Sequence, residues 1–326
     1  MSTVRIRPYR GIEDLAGMGA ANARLRRRVG VLDPIDVEAM VHRYTHLVNC
    51  DPLVDCRVAE RDGEAVGYVR VEWHDLEDGD RLFDATTAID PEAWGLGVAD
   101  TLLDWAEARI RAIARTLPAD RRTWYGNEVF EGDTELEVAM ERRGYETVRW
   151  GAEMLRPDLE AIGDVPIAAG YAVRTPEAAE LPSVFEMMVV AFREHWGEYD
   201  AGDQRYDAWV DDPRFRRDLV VVAWDASEPA ACVSNVLTSA ADGSVRGLLD
   251  SVATHPDHRR RGLAKATITE SLRRLRAAGA TSAYLGVDTD NHNRAVELYE
   301  QCGFRVVSSI TTWRRQLEPG AMEVPR

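Results

Sequence analysis

The chain of 326 residues has no long apolar segment. Its apolar runs are short, as in Leu219 to Trp224, whereas a membrane-spanning helix needs about 20 apolar residues. The first eleven residues contain neither the apolar core nor the cleavage site of a signal peptide. We therefore expect a cytoplasmic protein that does not bind membranes.

Cysteine and lysine are both scarce. The four cysteines, Cys50, Cys56, Cys232 and Cys302, lack the CxxC spacing of metal and redox sites. We expect these thiols to be reduced and mostly buried, with no disulfide framework and no metal site. Lys265 is the only lysine, so arginine carries almost all of the positive charge.

Positive charge is in deficit in the chain as a whole, since the formal net charge is −16 and the isoelectric point is about 5.0. A field of this sign repels the phosphates of nucleic acids and disfavours a nucleic-acid-binding protein. Small cationic molecules would be attracted, although weakly at physiological ionic strength. The 45% of hydrophobic and 29% of charged residues are typical of globular proteins, and the length predicts about two domains.

The chain contains the same succession of short motifs twice, about 165 residues apart. A period of this length indicates a tandem duplication of a whole domain, because solenoid repeats are much shorter. The matching pairs are Val4–Arg7 with Tyr171–Arg174, Glu64–Tyr68 with Glu228–Cys232, Ala88–Pro91 with Ala253–Pro256, and Arg142–Tyr145 with Gln301–Phe304.

Each copy predicts strands mixed with helices at spacings typical of an α/β (α+β) fold with a mixed, mostly antiparallel sheet flanked by helices. The predicted helices are Glu13–Arg27, Val98–Ala114, Ala178–Arg193 and Leu263–Ala278. The predicted meander strands are Cys56–Glu60, Gly67–Trp73, Leu82–Ile89, Leu219–Trp224, Ala231–Leu237 and Arg246–Thr254. We expect domains at residues 1–158 and 171–318, joined by a linker at 159–170 within a Pro- and Gly-containing segment.

The segment from Val252 to Lys265 combines a predicted strand, a turn rich in arginine and the start of a long helix. Gly262 permits close approach of a ligand to the backbone, and the first turn of the helix presents unpaired N–H groups. Such a helix start favours a pyrophosphate, and the basic residues of the turn reverse the sign of an otherwise acidic chain.

This segment resembles the acyl-CoA-binding motif of the GNAT superfamily of N-acetyltransferases, Arg/Gln-x-x-Gly-x-Gly/Ala. Arg259, Gly262 and Ala264 occupy its three defined places. The segments Leu285–Asn291 and Ala295–Phe304 are similar to the strand and helix that follow in this family. The first copy is more weakly similar, and the pair resembles the tandem type of the family, such as mycothiol synthase, in architecture.

The resemblance implies two GNAT-like domains and acetyl-CoA as the cosubstrate. It assigns acetyl-CoA binding to Val252, Ala253, Thr254, Arg259, Arg260, Arg261, Gly262, Leu263, Ala264, Lys265, Asn291 and Tyr299. It also suggests a second cofactor site in the first copy, formed by Ala88, Ile89, Gly95, Gly97 and Ala99.

The two copies differ at the positions that the resemblance marks as functional. Tyr299, four residues before Gly303, matches the tyrosine that commonly protonates the departing thiolate in this family. The first copy has Met140 at that place, and methionine has no transferable proton. Trp94 stands where the motif has its basic residue. We therefore expect the first domain to be degenerate, binding either CoA without catalysis or nothing, and the second to be catalytic.

Two carboxylates are candidates for the general base. Asp250 lies on the strand that enters the turn, where related enzymes often carry an acidic residue, and Asp288 lies on the opposite strand. Either carboxylate could remove a proton from an ammonium through water. The resemblance places acceptor recognition near the first helices, where the second copy has aromatic and acidic side chains, namely His195, Trp196, Glu198 and Tyr199.

These observations predict an N-acetyltransferase that transfers acetyl directly to a primary amine of a small molecule or peptide. The alternative is a non-catalytic protein that senses acyl-CoA or mediates interactions. Transfer of a longer acyl chain remains open, since the turn contacts only the CoA phosphates. We expect a monomer, because the fused copies already supply a pseudo-dimer, and no metal, since His255 and His258 lack partner ligands.

Overall fold

The computed structural model describes residues 4–32, 34–193, 203–240, 242–290 and 294–317. The contacts divide the chain into two units. Within the described residues, the first unit contains 4–150 and 309–317, and the second contains 151–308. No helix in these ranges has the length and apolar composition that crossing a membrane requires.

The first copy of the repeat begins with a short strand, continues with helices and a meander of strands, and closes with a strand, a helix and a strand. Its elements are β1 (Arg5–Pro8), α1 (Leu15–Val29), α2 (Val37–Thr45), α3 (Pro52–Asp55), β2 (Cys56–Arg61), β3 (Glu64–Asp75), β4 (Arg81–Ile89), α4 (Val98–Ala114), β5 (Thr123–Phe130), α5 (Thr134–Arg142) and β6 (Glu146–Arg156).

The second copy repeats this succession. Its elements are β7 (Tyr171–Arg174), α6 (Leu181–Phe192), α7 (Asp203–Val210), β8 (Val221–Asp225), β9 (Glu228–Ser239), β10 (Val245–Thr254), α8 (Leu263–Ala277), β11 (Ser282–Asp288), α9 (Ala295–Gln301) and β12 (Arg305–Gln316).

Each unit has a mixed, mostly antiparallel sheet, as the sequence predicted. In the first unit the order is β1-β2-β3-β4-β5, followed by the second half of β12. In the second unit the order is β7-β8-β9-β10-β11, followed by the second half of β6. The described parallel pairs are β4 with β5 and β10 with β11, one in each unit.

The last strands of the two copies are exchanged. Residues 310–316 of β12 pair with β5 of the first unit, whereas residues 151–156 of β6 pair with β11 of the second. The exchange carries Trp313 and Leu317 into the core of the first unit and Met154 into that of the second. The domains expected from the sequence, 1–158 and 171–318, place all of β6 in the first domain and all of β12 in the second. In the structure, each of these strands pairs with the other unit over part of its length. A repeat shows which segments are equivalent but not which sheet each strand joins.

Alternation along the strands places an apolar layer on each face of both sheets. On β9, Cys232 packs in the cluster beneath α6, and the next residue, Val233, packs in the cluster beneath α8. On β3, Tyr68 belongs to the cluster of α1 and Val69 to that of α4. One face of each sheet is therefore covered by the helix that follows the turn, α4 or α8. The other face is covered by the first long helix of the copy, α1 or α6.

The expected linker contains no helix or strand: residues 157–170 are irregular throughout. It packs closely on the second unit, however. Arg276 of α8 donates hydrogen bonds to the carbonyl oxygens of Leu159 (3.3 Å) and Glu160 (3.1 Å), and Leu159 is buried. The segment is thus part of the second unit and does not behave as a free tether.

Candidate functional site

In the second unit, β10 and β11 separate after a short stretch of pairing. Their parallel register runs from Arg246 with Ser282 to Leu248 with Tyr284. Beyond this point β10 continues along β9, while β11 continues along β6. The two strands therefore open a wedge in the middle of the sheet. Along the wedge, the backbone groups of β10 and β11 that face each other no longer pair with each other.

A β-bulge lies at the mouth of this wedge. The register of β10 with β9 shifts between Leu249 and Ser251, so that Asp250 is the extra residue. Bulges redirect side chains, and they are common near active sites. The side chain of Asp250 is exposed and lines a cavity on the α6 side of the sheet.

The turn after β10 has the geometry of an anion site. A short 3₁₀ helix, Pro256–His258, leads to Gly262, which caps α8 with a φ of 78°. This left-handed conformation is easily reached only by glycine. A β-carbon at Gly262 would have no atom within 4 Å, so the space in front of the helix start is open. The first N–H groups of α8 and its dipole face this space.

The basic side chains of the turn have different partners. Arg259 donates from Nε to the carbonyl oxygen of Thr254 (3.3 Å) and from Nη2 to that of Ala191 (3.2 Å). It therefore connects the turn to the end of α6. Arg261 donates to the hydroxyl of Tyr171 (2.7 Å) and lies over its ring. Arg260 is exposed in a left-handed conformation.

The remaining residues expected to bind the cofactor surround this turn. Lys265, in the first turn of α8, donates to the side-chain oxygen of Gln301 on α9 (3.3 Å). Leu263 and Ala253 are buried and hold the turn against the unit. Val252, Thr254 and Ala264 are half-buried beside them.

Tyr299 lies on α9 in an apolar environment. Its side chain is buried, and its ring meets that of Phe304 edge-on, with centroids 6.1 Å apart. Burial raises the pKa of the Tyr299 hydroxyl well above its usual value of 10. The group therefore keeps its proton at neutral pH, as a proton donor must. The neighbouring Cys302 is buried, and burial raises the pKa of its thiol to about 11, so it is a poor nucleophile.

A cavity of about 300 Å³ lies between α6, α7 and the sheet of the second unit. Its walls include Phe185, Trp209 and Phe215, and its floor includes Asp250 and Val236. The rings of Phe185 and Trp209 are stacked, with centroids 5.8 Å apart and planes at 29°. These walls were not predicted from the sequence, although Phe185, Met188 and Phe192 follow an apolar helical spacing along α6.

The cavity depends on small or apolar residues on β9. Ser234 and Val236 lie two and four residues after Cys232, and the first unit has Arg70 and Glu72 at the equivalent positions after Tyr68. Arg70 is 6% exposed and donates to Glu72 (2.8 Å), while its guanidinium lies over the ring of Tyr44. In the first unit, a charged pair thus occupies the positions that line the cavity in the second.

The turn of the first unit has the same backbone but different contacts. Gly97 caps α4 with a φ of 73°, and Trp94 contacts Arg28 through its ring. The N–H of Gly95, however, donates to the carboxylate of Glu135 at 3.0 Å. A carboxylate of the same unit therefore takes a backbone donor that a phosphate would need.

The charged residue in the first turn of the helix also differs, and Asp100 of the first unit is paired with Arg143. Counting from the capping glycines, Asp100 stands where the second unit has Lys265. The other expected residues of the first site, Ala88, Ile89 and Ala99, are buried at the end of β4 and the start of α4. The two turns thus share their backbone shape but not their positive charge.

Several residues named from the sequence lie outside the described part of the chain, namely Asn291, His195, Trp196, Glu198 and Tyr199. Asp288, the alternative base, is described and half-buried, and its carboxylate accepts from the N–H of Asp290 (3.0 Å). Cys56, Cys232 and Cys302 are buried and Cys50 is half-buried, which agrees with the predicted burial of these thiols. Within the described ranges, no three His, Cys, Asp or Glu residues form a group able to hold a metal ion.

Comparison with known proteins gives one family. The model of the acetyltransferase (GNAT) family matches residues 28–122 and 181–304, once in each copy. No curated protein sequence matches the chain significantly.

Solved structures with the same fold extend over nearly the whole chain. A GCN5-related N-acetyltransferase from Sphaerobacter thermophilus is 20% identical, with a TM-score of 0.75, and the match covers 96% of this chain and 95% of that one. A tandem GNAT protein from the clavulanic acid biosynthesis pathway is 18% identical, with a TM-score of 0.68 and coverages of 96% and 98%. A putative acetyltransferase from Pyrococcus horikoshii is 11% identical, with a TM-score of 0.58 and coverages of 97% and 90%. At these identities the likeness concerns the fold.

Proposed function

The chain belongs to the acetyltransferase (GNAT) family, and we propose that its second unit transfers acetyl from acetyl-CoA directly to a primary amine of a small molecule or peptide. The observation that carries this proposal is the contrast between the two turns. The turn at Gly262 is open and basic, whereas the turn at Gly97 is acidic and its Gly95 N–H is bonded to Glu135.

The turn at Gly262 suits the pyrophosphate of acetyl-CoA. The N–H groups at the start of α8 supply hydrogen-bond donors, and Arg260 and Lys265 supply charge near them. Arg259 supports the turn from behind, because its hydrogen bonds go to backbone carbonyls. The wedge between β10 and β11 leaves a backbone edge for the pantetheine amides, and Asn291 remains the proposed contact beyond β11.

Three tasks then remain for the protein side chains and backbone. The backbone N–H groups of the wedge stabilise negative charge on the thioester oxygen. Asp250, at the bulge, accepts a proton from the ammonium through water, with Asp288 as the alternative base. The Tyr299 hydroxyl donates a proton to the departing thiolate. The thioester supplies the activated acetyl group, and no covalent acyl-enzyme is needed, since the Cys302 thiol stays protonated.

The first unit has a supporting role in this proposal. Its turn takes no acyl-CoA, because Glu135 repels a phosphate and occupies a donor, and Met140 provides no acid. We expect one acetyl-CoA per chain and a monomer. The same features of the first unit would also suit a non-catalytic acyl-CoA sensor, in which the second unit binds acetyl-CoA without turnover.

Release of CoA thiol from acetyl-CoA in the presence of amines tests the proposal, and Tyr299→Phe tests its mechanism. We expect this variant to lose at least tenfold in kcat, about 1.4 kcal/mol in the barrier, with little change in acetyl-CoA affinity. Tyr125→Phe is the matched control, because it removes a buried tyrosine hydroxyl in the first unit and should leave kcat unchanged.

An unchanged kcat in Tyr299→Phe would exclude Tyr299 as the acid. Tight binding of acetyl-CoA without thiol release on any amine would favour the sensor.

A further inference from the structure

The cavity beside Asp250 has a composition that restricts its ligand. Among the described lining residues, the apolar side chains come from α6, α7 and β9 and from Phe215. A volume of about 300 Å³ is at the small end of the range for small-molecule sites. The described part of the space therefore suits a compact, largely apolar body.

The charged side chains among the described lining residues are balanced in sign, in contrast to the chain as a whole. The described lining contains two carboxylates, Asp212 and Asp250, and two guanidinium groups, Arg205 and Arg214. Arg214 binds Asp212 through both nitrogens, Nε to Oδ1 at 3.0 Å and Nη2 to Oδ2 at 2.8 Å. A polycation gains little from such a lining, because each additional ammonium would need its own carboxylate.

The walls are arranged for a flat ring. Trp209 is stacked with Phe185 and meets Phe215 edge-on, with centroids 5.1 Å apart and planes at 75°. The indole is fixed by a hydrogen bond from Nε1 to the hydroxyl of Ser234 (3.1 Å). A fixed aromatic wall favours an aromatic ligand over an aliphatic one of equal size by offset or edge contacts.

The polar end of the cavity lies next to the wedge. Asp250 and Ser251 line the cavity and belong to the part of β10 that has separated from β11. A ligand with its ring against the aromatic wall that contains Trp209, and with one ammonium near Asp250, would present that amine at the wedge. This is where the proposed function requires the acceptor nitrogen.

From these observations we propose that the acceptor is an arylalkyl primary amine, a molecule with one amino group on a short chain attached to an aromatic ring. The inference rests on the proposed function, since it names the substrate class of that same site. It narrows the small cationic molecules that the net charge of the chain suggested to those with one ammonium, because the described lining near Asp250 is not acidic overall.

Thiol release with acetyl-CoA is measured for 2-phenylethylamine, for 2-cyclohexylethylamine and for spermidine. We expect kcat/KM for 2-phenylethylamine to exceed that for spermidine at least 100-fold. The ratio of kcat/KM for 2-phenylethylamine to that for 2-cyclohexylethylamine should be smaller, about 2- to 12-fold, because only ring contacts distinguish the two amines.

Val236→Glu places the residue of the first unit in the cavity. We expect this variant to lose at least tenfold in kcat/KM for 2-phenylethylamine, while acetyl-CoA affinity stays unchanged, since the turn at Gly262 is untouched. Unchanged acetyl-CoA affinity also shows that the variant is folded. Trp209→Phe, which keeps an aromatic wall but removes the bond to Ser234, should lose less than Val236→Glu.

Equilibrium binding of 2-phenylethylamine to the CoA complex, followed by tryptophan fluorescence, separates the two proposals. Saturable binding that Val236→Glu abolishes, with no thiol release, would refute the transferase and keep the ligand class. A preference for spermidine would overturn the ligand class and keep the transferase. Absence of saturable binding, or displacement of the amine by the chain of octanoyl-CoA, would also overturn the arylalkyl amine.

Discussion

Two glycines have nearly the same backbone conformation, and comparing them distinguishes what the turn needs for folding from what it needs for ligand binding. Gly262 and Gly97 both cap a helix with φ between 73° and 78°, and neither β-carbon position has an atom within 4 Å. The turn thus needs glycine for its own shape in both units. Acyl-CoA binding, in our proposal, uses only one of them.

We therefore predict different outcomes for two equivalent substitutions. Gly262→Ala and Gly97→Ala should each lower the free energy of unfolding by about 1–2 kcal/mol, because alanine is strained in the left-handed region. Only Gly262→Ala should weaken acetyl-CoA binding, at least tenfold by calorimetry, and the wild type should bind one equivalent. Equal losses of affinity in both variants, or two equivalents bound, would show that the first unit also holds acetyl-CoA.

Asp84 on β4 gives a prediction about pH. Burial, together with the charges of Glu128 and Glu72, raises the pKa of Asp84 to about 7, against the opposing effect of Arg314 and Arg70. The folded state then keeps a proton that the unfolded chain releases near pH 4. Its stabilising contribution is complete below pH 4 and is lost as the pH rises towards 7.

Asp84→Asn removes this titration. At pH 8 we expect the free energy of unfolding of the variant to exceed that of the wild type by at least about 1 kcal/mol, so that the variant unfolds at a higher urea concentration. This difference should shrink as the pH falls to 4.5. Urea unfolding at the two pH values measures it. A difference between the two proteins that is the same at both pH values would contradict the raised pKa.

At the level of elements, local signals predicted structure well. Helix α4 was predicted at its observed bounds and α8 to within one residue, because each follows a glycine cap and has a regular apolar spacing. Helices α2 and α7 were not predicted. They are short, and α2 begins at an ordinary Asp36 cap without a long apolar period.

The site was predicted only where it is continuous in sequence. The turn from Val252 to Lys265 carries its signal in fourteen consecutive residues. The cavity has none, because α6, α7, β9 and β10 each contribute a few side chains that meet only in the folded unit. The bond from Gly95 to Glu135 likewise joins residues 40 apart, so the sequence showed a lost arginine but not the carboxylate at the turn.

For the whole molecule, the exchanged strands predict that the first copy cannot be isolated at the repeat boundary. A fragment of residues 1–158 lacks the strand that pairs with β5 and supplies Trp313, which is 7% exposed. Loss of a buried tryptophan alone costs about 3–5 kcal/mol, a large share of the stability of a domain.

We expect the 1–158 fragment to lack a cooperative thermal transition by circular dichroism. Addition of a peptide of residues 305–317 should restore that transition, and a peptide with Trp313→Ala should restore it less. A fragment that melts cooperatively by itself, with no response to the peptide, would show that β12 is dispensable for the first unit.

The exchange also sets the order in which the molecule can be completed during synthesis. Translation proceeds from the N-terminus, and domains often fold as they emerge. Here every strand of the second unit has been made by residue 308, whereas the first unit still awaits residues 310–316. The copy that is translated first is therefore finished after the second, and its open edge at β5 needs protection until residues 310–316 have been synthesised.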